Sequence, residues 1–245
     1  MRRSTVGTVL VLAAICVAGF VLRTTNAATV LLGDRVVLAE NDPYYHMRRV
    51  LTALADWPRV PSFDPWIDFP HGAPVVFAPL FDLAIATLAL LAGLRPEQRT
   101  AIETLAAFVP PVLGALTCLA VYALARRVTS RAAAMLAALL LALTPAHAWY
   151  SRLGFVDHHV AVTFAMVVIA ALYLRALGID PVGASSPRAA APALPRRGAT
   201  AAAALALACG LLLWNGTLLL VAVLDAALAA LFIASDAARR RSGAT

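Results

Sequence analysis

Charge is what this sequence has least of. Only 13% of its 245 residues are charged and 62% are hydrophobic, whereas soluble domains run nearer ~25% charged and about 45–50% apolar. A soluble globular class is excluded, and an integral membrane protein is expected. Cysteine is scarce too. Cys16, Cys118 and Cys209 all lie inside apolar runs, no pair has disulfide or metal spacing, and they read as small buried hydrophobes. No internal repeat is present, which excludes solenoids and arrays. Acids are few enough to leave a formal net charge of +7, but the arginines stand in short clusters between apolar runs. That is the distribution of topology signals, so no nucleic-acid partner is expected.

What is abundant is apolar sequence in lengths near the ~20 residues that cross a hydrocarbon core. Such segments occupy about 6–22, 73–94, 101–125, 132–149, 159–177, 199–214 and 217–234. The first resembles a signal peptide, yet it is long for one and further spans follow, so an uncleaved first helix is expected. Arginine patches flank the runs: Arg2/Arg3, Arg126/Arg127/Arg131, Arg175 through Arg197, and Arg239/Arg240/Arg241. The excess of Arg on cytoplasmic loops puts all four inside. An even number of crossings must then separate consecutive patches, but the first gap holds three apolar segments. The segment 73–94 carries Asp82, Pro74 and Pro79 and is the one expected not to cross, as a re-entrant or interfacial helix on the outer side.

Six spanning helices with both termini cytoplasmic result, in a single transmembrane domain over 1–245. The first outer loop runs over about 23–100, the second over about 150–158, and a Pro/Ala-rich cytoplasmic linker over about 178–198. Trp57, Trp66, Trp149 and Trp214 all fall on the outer side, and the last two stand at helix ends where an aromatic belt belongs. Asn215-Gly216-Thr217 has sequon spacing but is read as a helix-connecting turn.

Two outer stretches carry candidate chemistry. "ENDPYYHMRR" follows the first span, and "SRLGFVDHHV" sets Asp157, His158 and His159 against a helix start. The plain reading of the first is a solvated loop with Asp42-Pro43 as turn initiator and Tyr44 and Tyr45 at headgroup level. The sharper one is that ionisable groups at a membrane face mark function. Asp42 and Asp157 on one side, with histidines beside them, can form a divalent-metal site. His46 and His71 are expected to be surface histidines without partners.

Together "NDPYYHMRR", "FDPWIDFPHG" and "SRLGFVDHH" resemble the catalytic subunit of oligosaccharyltransferases, the membrane enzymes of protein N-glycosylation. The resemblance implies an all-α, polytopic helix bundle of the C-type glycosyltransferase fold. It implies transfer of a glycan from a polyprenyl (pyro)phosphate to an asparagine of an acceptor polypeptide, on the outer face of the plasma (inner) membrane. Asp42 and Asp157 would then be catalytic and bind the metal, Mn²⁺ or Mg²⁺. His159 stands where the family often has a second acid; as a ligand it would favour Mn²⁺. Arg49, Arg152 and Tyr45 are candidates for substrate binding, and Arg48, Arg49 and Arg152 either stabilise phosphate charge or snorkel to headgroups. A "WWDYG"-like motif and a third acidic ligand from a later loop do not occur in these residues, so the chain is expected to be the N-terminal part of such an enzyme. The rivals are another polyprenyl-phosphate-sugar glycosyltransferase of the same fold and a non-catalytic membrane scaffold.

Overall fold

The structure is a computed structural model that describes residues 2–178 and 197–242. Residues 179–196 of the expected linker lie outside it. The described residues form helices joined by short turns, with two small hairpins as the only strands among them. In chain order they are α1 (Arg2–Arg23), α2 (Ala27–Val30), β1 (Leu31–Leu32), β2 (Arg35–Val36), α3 (Asn41–Ala55), β3 (Phe63–Asp64), β4 (Ala73–Pro74) and α4 (Leu80–Leu91). Then come α5 (Arg99–Ala125), α6 (Arg131–Leu143), α7 (Pro145–Tyr150), α8 (His159–Ala176), α9 (Arg197–Leu213) and α10 (Thr217–Ser242).

This is an all-α membrane protein. Among the described residues, four stretches are long and apolar enough to cross a bilayer: Thr5–Val30, Arg99–Ala125, His159–Ala176 and Thr217–Ala234. Helix α1 exposes Val6, Val9, Leu10, Val17 and Val21, apolar surface that lipid rather than water would cover. Helix α9 has 17 residues and α6 only 13. The expected continuous span over 132–149 is broken because Pro145 forces the residue before it out of the helical region. Thr144 accordingly sits at ψ 118, and α7 starts afresh after it.

The first outer loop differs most from the sequence expectation. "NDPYYHMRR" is the start of a 15-residue helix, not a loop. Pro43 falls in its first turn, where a missing N–H costs nothing. The buried positions Pro43, His46, Met47, Val50, Ala53 and Leu54 form one apolar stripe at helical spacing. That stripe packs α3 on α4 and α5. Helix α4 is 12 residues long, shorter than the ~20 residues of a full span.

Central in the bundle, α5 packs against α1, α6 and α8 and contains Pro110 and Pro111. A proline cannot donate to the carbonyl four residues back, so Pro111 frees the carbonyl of Ala107. That oxygen accepts a hydrogen bond from the Gly154 N–H at 3.1 Å. A helix defect in α5 therefore anchors the loop that carries Asp157.

Candidate metal centre

The segment 151–158 joins α7 to α8 and is tied to its neighbours through its backbone. Besides the bond to Ala107, the Leu153 N–H donates to the Arg23 carbonyl at 2.7 Å, and the Ala39 N–H donates to the Gly154 carbonyl at 3.1 Å. Asn26 Nδ2 donates to the Leu153 carbonyl at 3.0 Å. Leu153, Phe155 and Val156 are buried as apolar anchors. Gly154 adopts φ +81, with Val30 and the Val37 carbonyl close to where a Cβ would stand, so a side chain there is opposed by both backbone and neighbours.

Arg23 closes the joint from below. It is fully buried, and the hydrogen-bond partners of its side chain among the described residues are uncharged acceptors. Its Nε donates to Ser151 Oγ at 2.6 Å, and Nη1 donates to the carbonyls of Gly19 (2.8 Å) and Ala142 (3.1 Å). Its Nη2 lies 2.6 Å from His147 Nδ1. The Ala142 carbonyl is one of those left without a helical partner where α6 stops, and a cation at a helix C-terminus is favourable there. Gly114 on α5 leaves room for the guanidinium: a Cβ would approach Arg23 Nε to 2.5 Å.

Held this way, Asp157 is only 2% exposed and gathers three histidines. Its Oδ1 accepts from the His158 N–H and lies 2.6 Å from His158 Nδ1 and 3.3 Å from His46 Nε2. Oδ2 is 3.5 Å from His159 Nε2. Burial alone would raise the Asp157 pKa, but the bonds from His158 and His46 overcome it and hold the carboxyl well below its usual range. His46, His158 and Asp157 each offer a ligand atom within 4.8 Å of one another, a group able to hold a metal ion.

His46 was expected to be a surface histidine, and the structure corrects this: it is 0% exposed. Its Nδ1 lies 2.6 Å from Asp82 Oδ1 on α4, and Asp82 Oδ2 is 2.7 Å from Arg49 Nη1. Arg49 Nη2 also donates to the Phe77 carbonyl. The Arg49–Asp82 approach is close in distance but not aligned as a hydrogen bond, so it acts as a charge pair. Burial would lower the His46 pKa; the bonds to Asp157 and Asp82 outweigh that and raise it to about 9. The same pairing explains how an acid comes to sit inside an apolar helix.

The remaining sequence candidates are arranged around this cluster. Asp42 is exposed in the first turn of α3 and stands outside the group formed by His46, Asp157 and His158. Its i, i+4 spacing to His46 puts both on one helix face. The Tyr45 ring packs on Phe77 at 5.7 Å, Arg48 pairs with Asp64, and the Arg152 guanidinium lies 3.5 Å over the Trp149 ring. His71 is exposed, as expected. Thr217 is buried and donates to the Gly210 carbonyl, consistent with Asn215-Gly216-Thr217 being a turn. His46 was legible only once the stripe at 43, 46/47, 50 and 53/54 was recognised as helical.

A cleft of about 600 Å³ opens beside the histidines, lined by Tyr150, His158, His159 and Trp214 together with Leu141, Val162 and Met166. The α9–α10 turn and the Asp157 loop thus share one end of the bundle.

Residues 10–244 match the family model described as "Oligosaccharyl transferase STT3, N-terminal". The chain belongs to this family. It is 33% identical over 133 residues to the dolichyl-monophosphooligosaccharide–protein glycotransferase AglB of Haloferax volcanii, covering 54% of this chain and 13% of that protein. The solved archaeal oligosaccharyltransferase AglB from Archaeoglobus fulgidus, in complex with an inhibitory peptide and a dolichol-phosphate, superposes with a TM-score of 0.79 at 24% identity, over 91% of this chain and 25% of that one. The A. fulgidus oligosaccharyltransferase in complex with Zn and sulfate gives 0.77 at 26% identity, covering 88% and 26%. The chain thus spans about a quarter or less of the length of these relatives.

Proposed function

We propose that this STT3-family chain supplies the cation-bearing part of an oligosaccharyltransferase. The reaction is transfer of a glycan from a polyprenyl (pyro)phosphate to an asparagine of an acceptor polypeptide. The observation that carries the reading is the buried Asp157 carboxylate, with His46 and His158 converging on it, beside a mostly apolar cleft that His158 and His159 help to line. A lipid-linked sugar combines the matching features, a charged phosphate and glycan for the ionisable cluster and a hydrocarbon tail for the apolar lining. The end of the bundle that carries the Asp157 loop is read as the outer face of the plasma membrane, with six crossings, α6–α7 and α9 supplying two of them, and both termini cytoplasmic.

The donor set fits a divalent ion. It mixes carboxylate oxygen with imidazole nitrogen, which suits Mn²⁺ better than Mg²⁺. Asp157 would be the anchoring ligand, with His158 or His159 beside it, and Asp42 would complete the set from the exposed first turn of α3. When bound, the ion would neutralise charge developing on the departing phosphate. The chain's own residues act around it. Asp42 is exposed and so free to accept the N–H groups of an acceptor amide, drawing its lone pair out of conjugation with the carbonyl. Tyr150, Trp214 and the apolar cleft wall would hold the carrier and exclude water. Arg49 serves the site from behind, because it is buried against Asp82 and Phe77.

The test is transfer of a lipid-linked glycan to a sequon peptide by the full-length protein in detergent. Activity that requires added Mn²⁺ or Mg²⁺ and is lost in Asp157→Asn supports the reading. Undiminished transfer after exhaustive chelation would overturn it.

A further inference from the structure

We propose that His46 is itself a ligand of the cation, held in its ligating tautomer by Asp82, which Arg49 in turn fixes. This rests on the reading that the Asp157 cluster holds a divalent ion. An ionised carboxylate can only accept, so the 2.6 Å approach of Asp82 Oδ1 to His46 Nδ1 assigns the proton to Nδ1. The lone pair of a neutral His46 is then on Nε2. That atom is 3.3 Å from Asp157 Oδ1 and 3.3 Å from His158 Nδ1. Ligand atoms sharing one ion at about 2.0–2.2 Å stand roughly 3–4.4 Å from each other; both His46 Nε2 distances fall in that range, and the hydrogen-bonded pair of Asp157 Oδ1 and His158 Nδ1, at 2.6 Å, would open to admit the ion. With no ion present, a proton on Nε2 joins His46 to Asp157; a cation bound there takes that proton's place.

The surroundings leave the imidazole little choice of orientation. Phe77 and Phe81 meet the His46 ring edge-on at 4.9 and 5.4 Å, and the ring is inaccessible to solvent. Asp82 is likewise buried, and its second oxygen faces Arg49 at 2.7 Å. Carboxylate, imidazole and ion in line is the usual way a protein sets ligand tautomer and basicity, and loss of such an orienting carboxylate costs about 10–100-fold in metal affinity. Asp82 and Arg49 are therefore positioning residues that act through His46. The rival role for His46 is a protonated strut between two acids, which never touches metal.

Mn²⁺ titration and pulsed EPR on the purified protein separate the two. Binding of Mn²⁺ should weaken by about 10–100-fold in Asp82→Asn and by at least as much in His46→Ala. The double variant should be no worse than His46→Ala alone, because both changes act on one ligand. In His158→Ala/His159→Ala, imidazole nitrogen modulation of the Mn²⁺ signal should persist, since His46 remains. Absence of that modulation, or wild-type affinity in His46→Ala, overturns the proposal while leaving the cation site standing. Failure of the wild-type protein to bind Mn²⁺ at all overturns the site reading and this inference together.

Discussion

Arg23 and the His46 cluster are both buried polar knots tied to the same loop, yet they are satisfied in opposite ways. Arg23 is met by neutral acceptors: a serine hydroxyl, two carbonyls and an imidazole. Its donors are consumed in joining the end of α1 to the α6–α7 break. The other knot brings together two buried acids and three imidazoles, with donor atoms converging on a small volume. One is closed and can only hold a shape. The other is open to a cation. Burial of charge near a membrane is therefore not by itself the mark of a site; convergence of ligand atoms is.

The largest expected effect lies on the open side. Asp157→Asn removes the anion on which the histidines converge, and glycan transfer should fall by about 10³-fold or more, roughly 4 kcal/mol of barrier. The protein should still fold, because Asn keeps the size and can still accept from the His158 N–H. If Asp157→Asn instead unfolds the chain, the two knots are alike and the contrast between them collapses.

Next comes the closed side. Arg23→Ala strands the Ala142 carbonyl and leaves a void between α1, α5 and α6, at a cost of about 2–4 kcal/mol. Thermal unfolding in detergent should show it. Arg23→Lys should recover only part, since an ammonium lacks the guanidinium fork. A smaller loss, about 1–2 kcal/mol, is expected for Gly154→Ala, from the left-handed backbone alone. It should weaken Mn²⁺ binding as well, because it disturbs the loop rather than a ligand; unaltered affinity would mean that the anchors at Ala107 and Arg23 hold Asp157 without help from the turn.

The smallest effect has the opposite sign. Glu40, just before α3, sits at φ 67 and ψ −177, a region favourable only to glycine. Glu40→Gly should stabilise the protein by up to about 1 kcal/mol, read as a rise in unfolding temperature. A fall would show that the Glu40 side chain makes a contact outweighing the backbone strain.

Much of this was legible in the sequence because hydrophobic length is a strong signal. The segments expected at 101–125, 159–177 and 199–214 became α5, α8 and α9 with ends within a few residues. Within 73–94 only Leu80–Leu91 is helical, a shortening that Pro74 and Pro79 foreshadow. What was hidden is tertiary. The sequence shows Asp82 as an anomaly but not its partner, which lies 36 residues away. Asp42-Pro43 so resembles a turn initiator that it masks the helix Asn41–Ala55 and, with it, the inward face carrying His46. The role of Pro111 was equally invisible, because the carbonyl it frees has meaning only beside Gly154.

The central claim is that the open knot binds a divalent ion and the closed one does not. Calorimetric titration of Mn²⁺ into the chelator-treated protein tests it most directly, with wild type, Asp157→Asn and Arg23→Lys side by side. The account predicts saturable binding at one site in wild type, abolished by Asp157→Asn and preserved by Arg23→Lys once folding is verified. Equal binding in wild type and Asp157→Asn would contradict it.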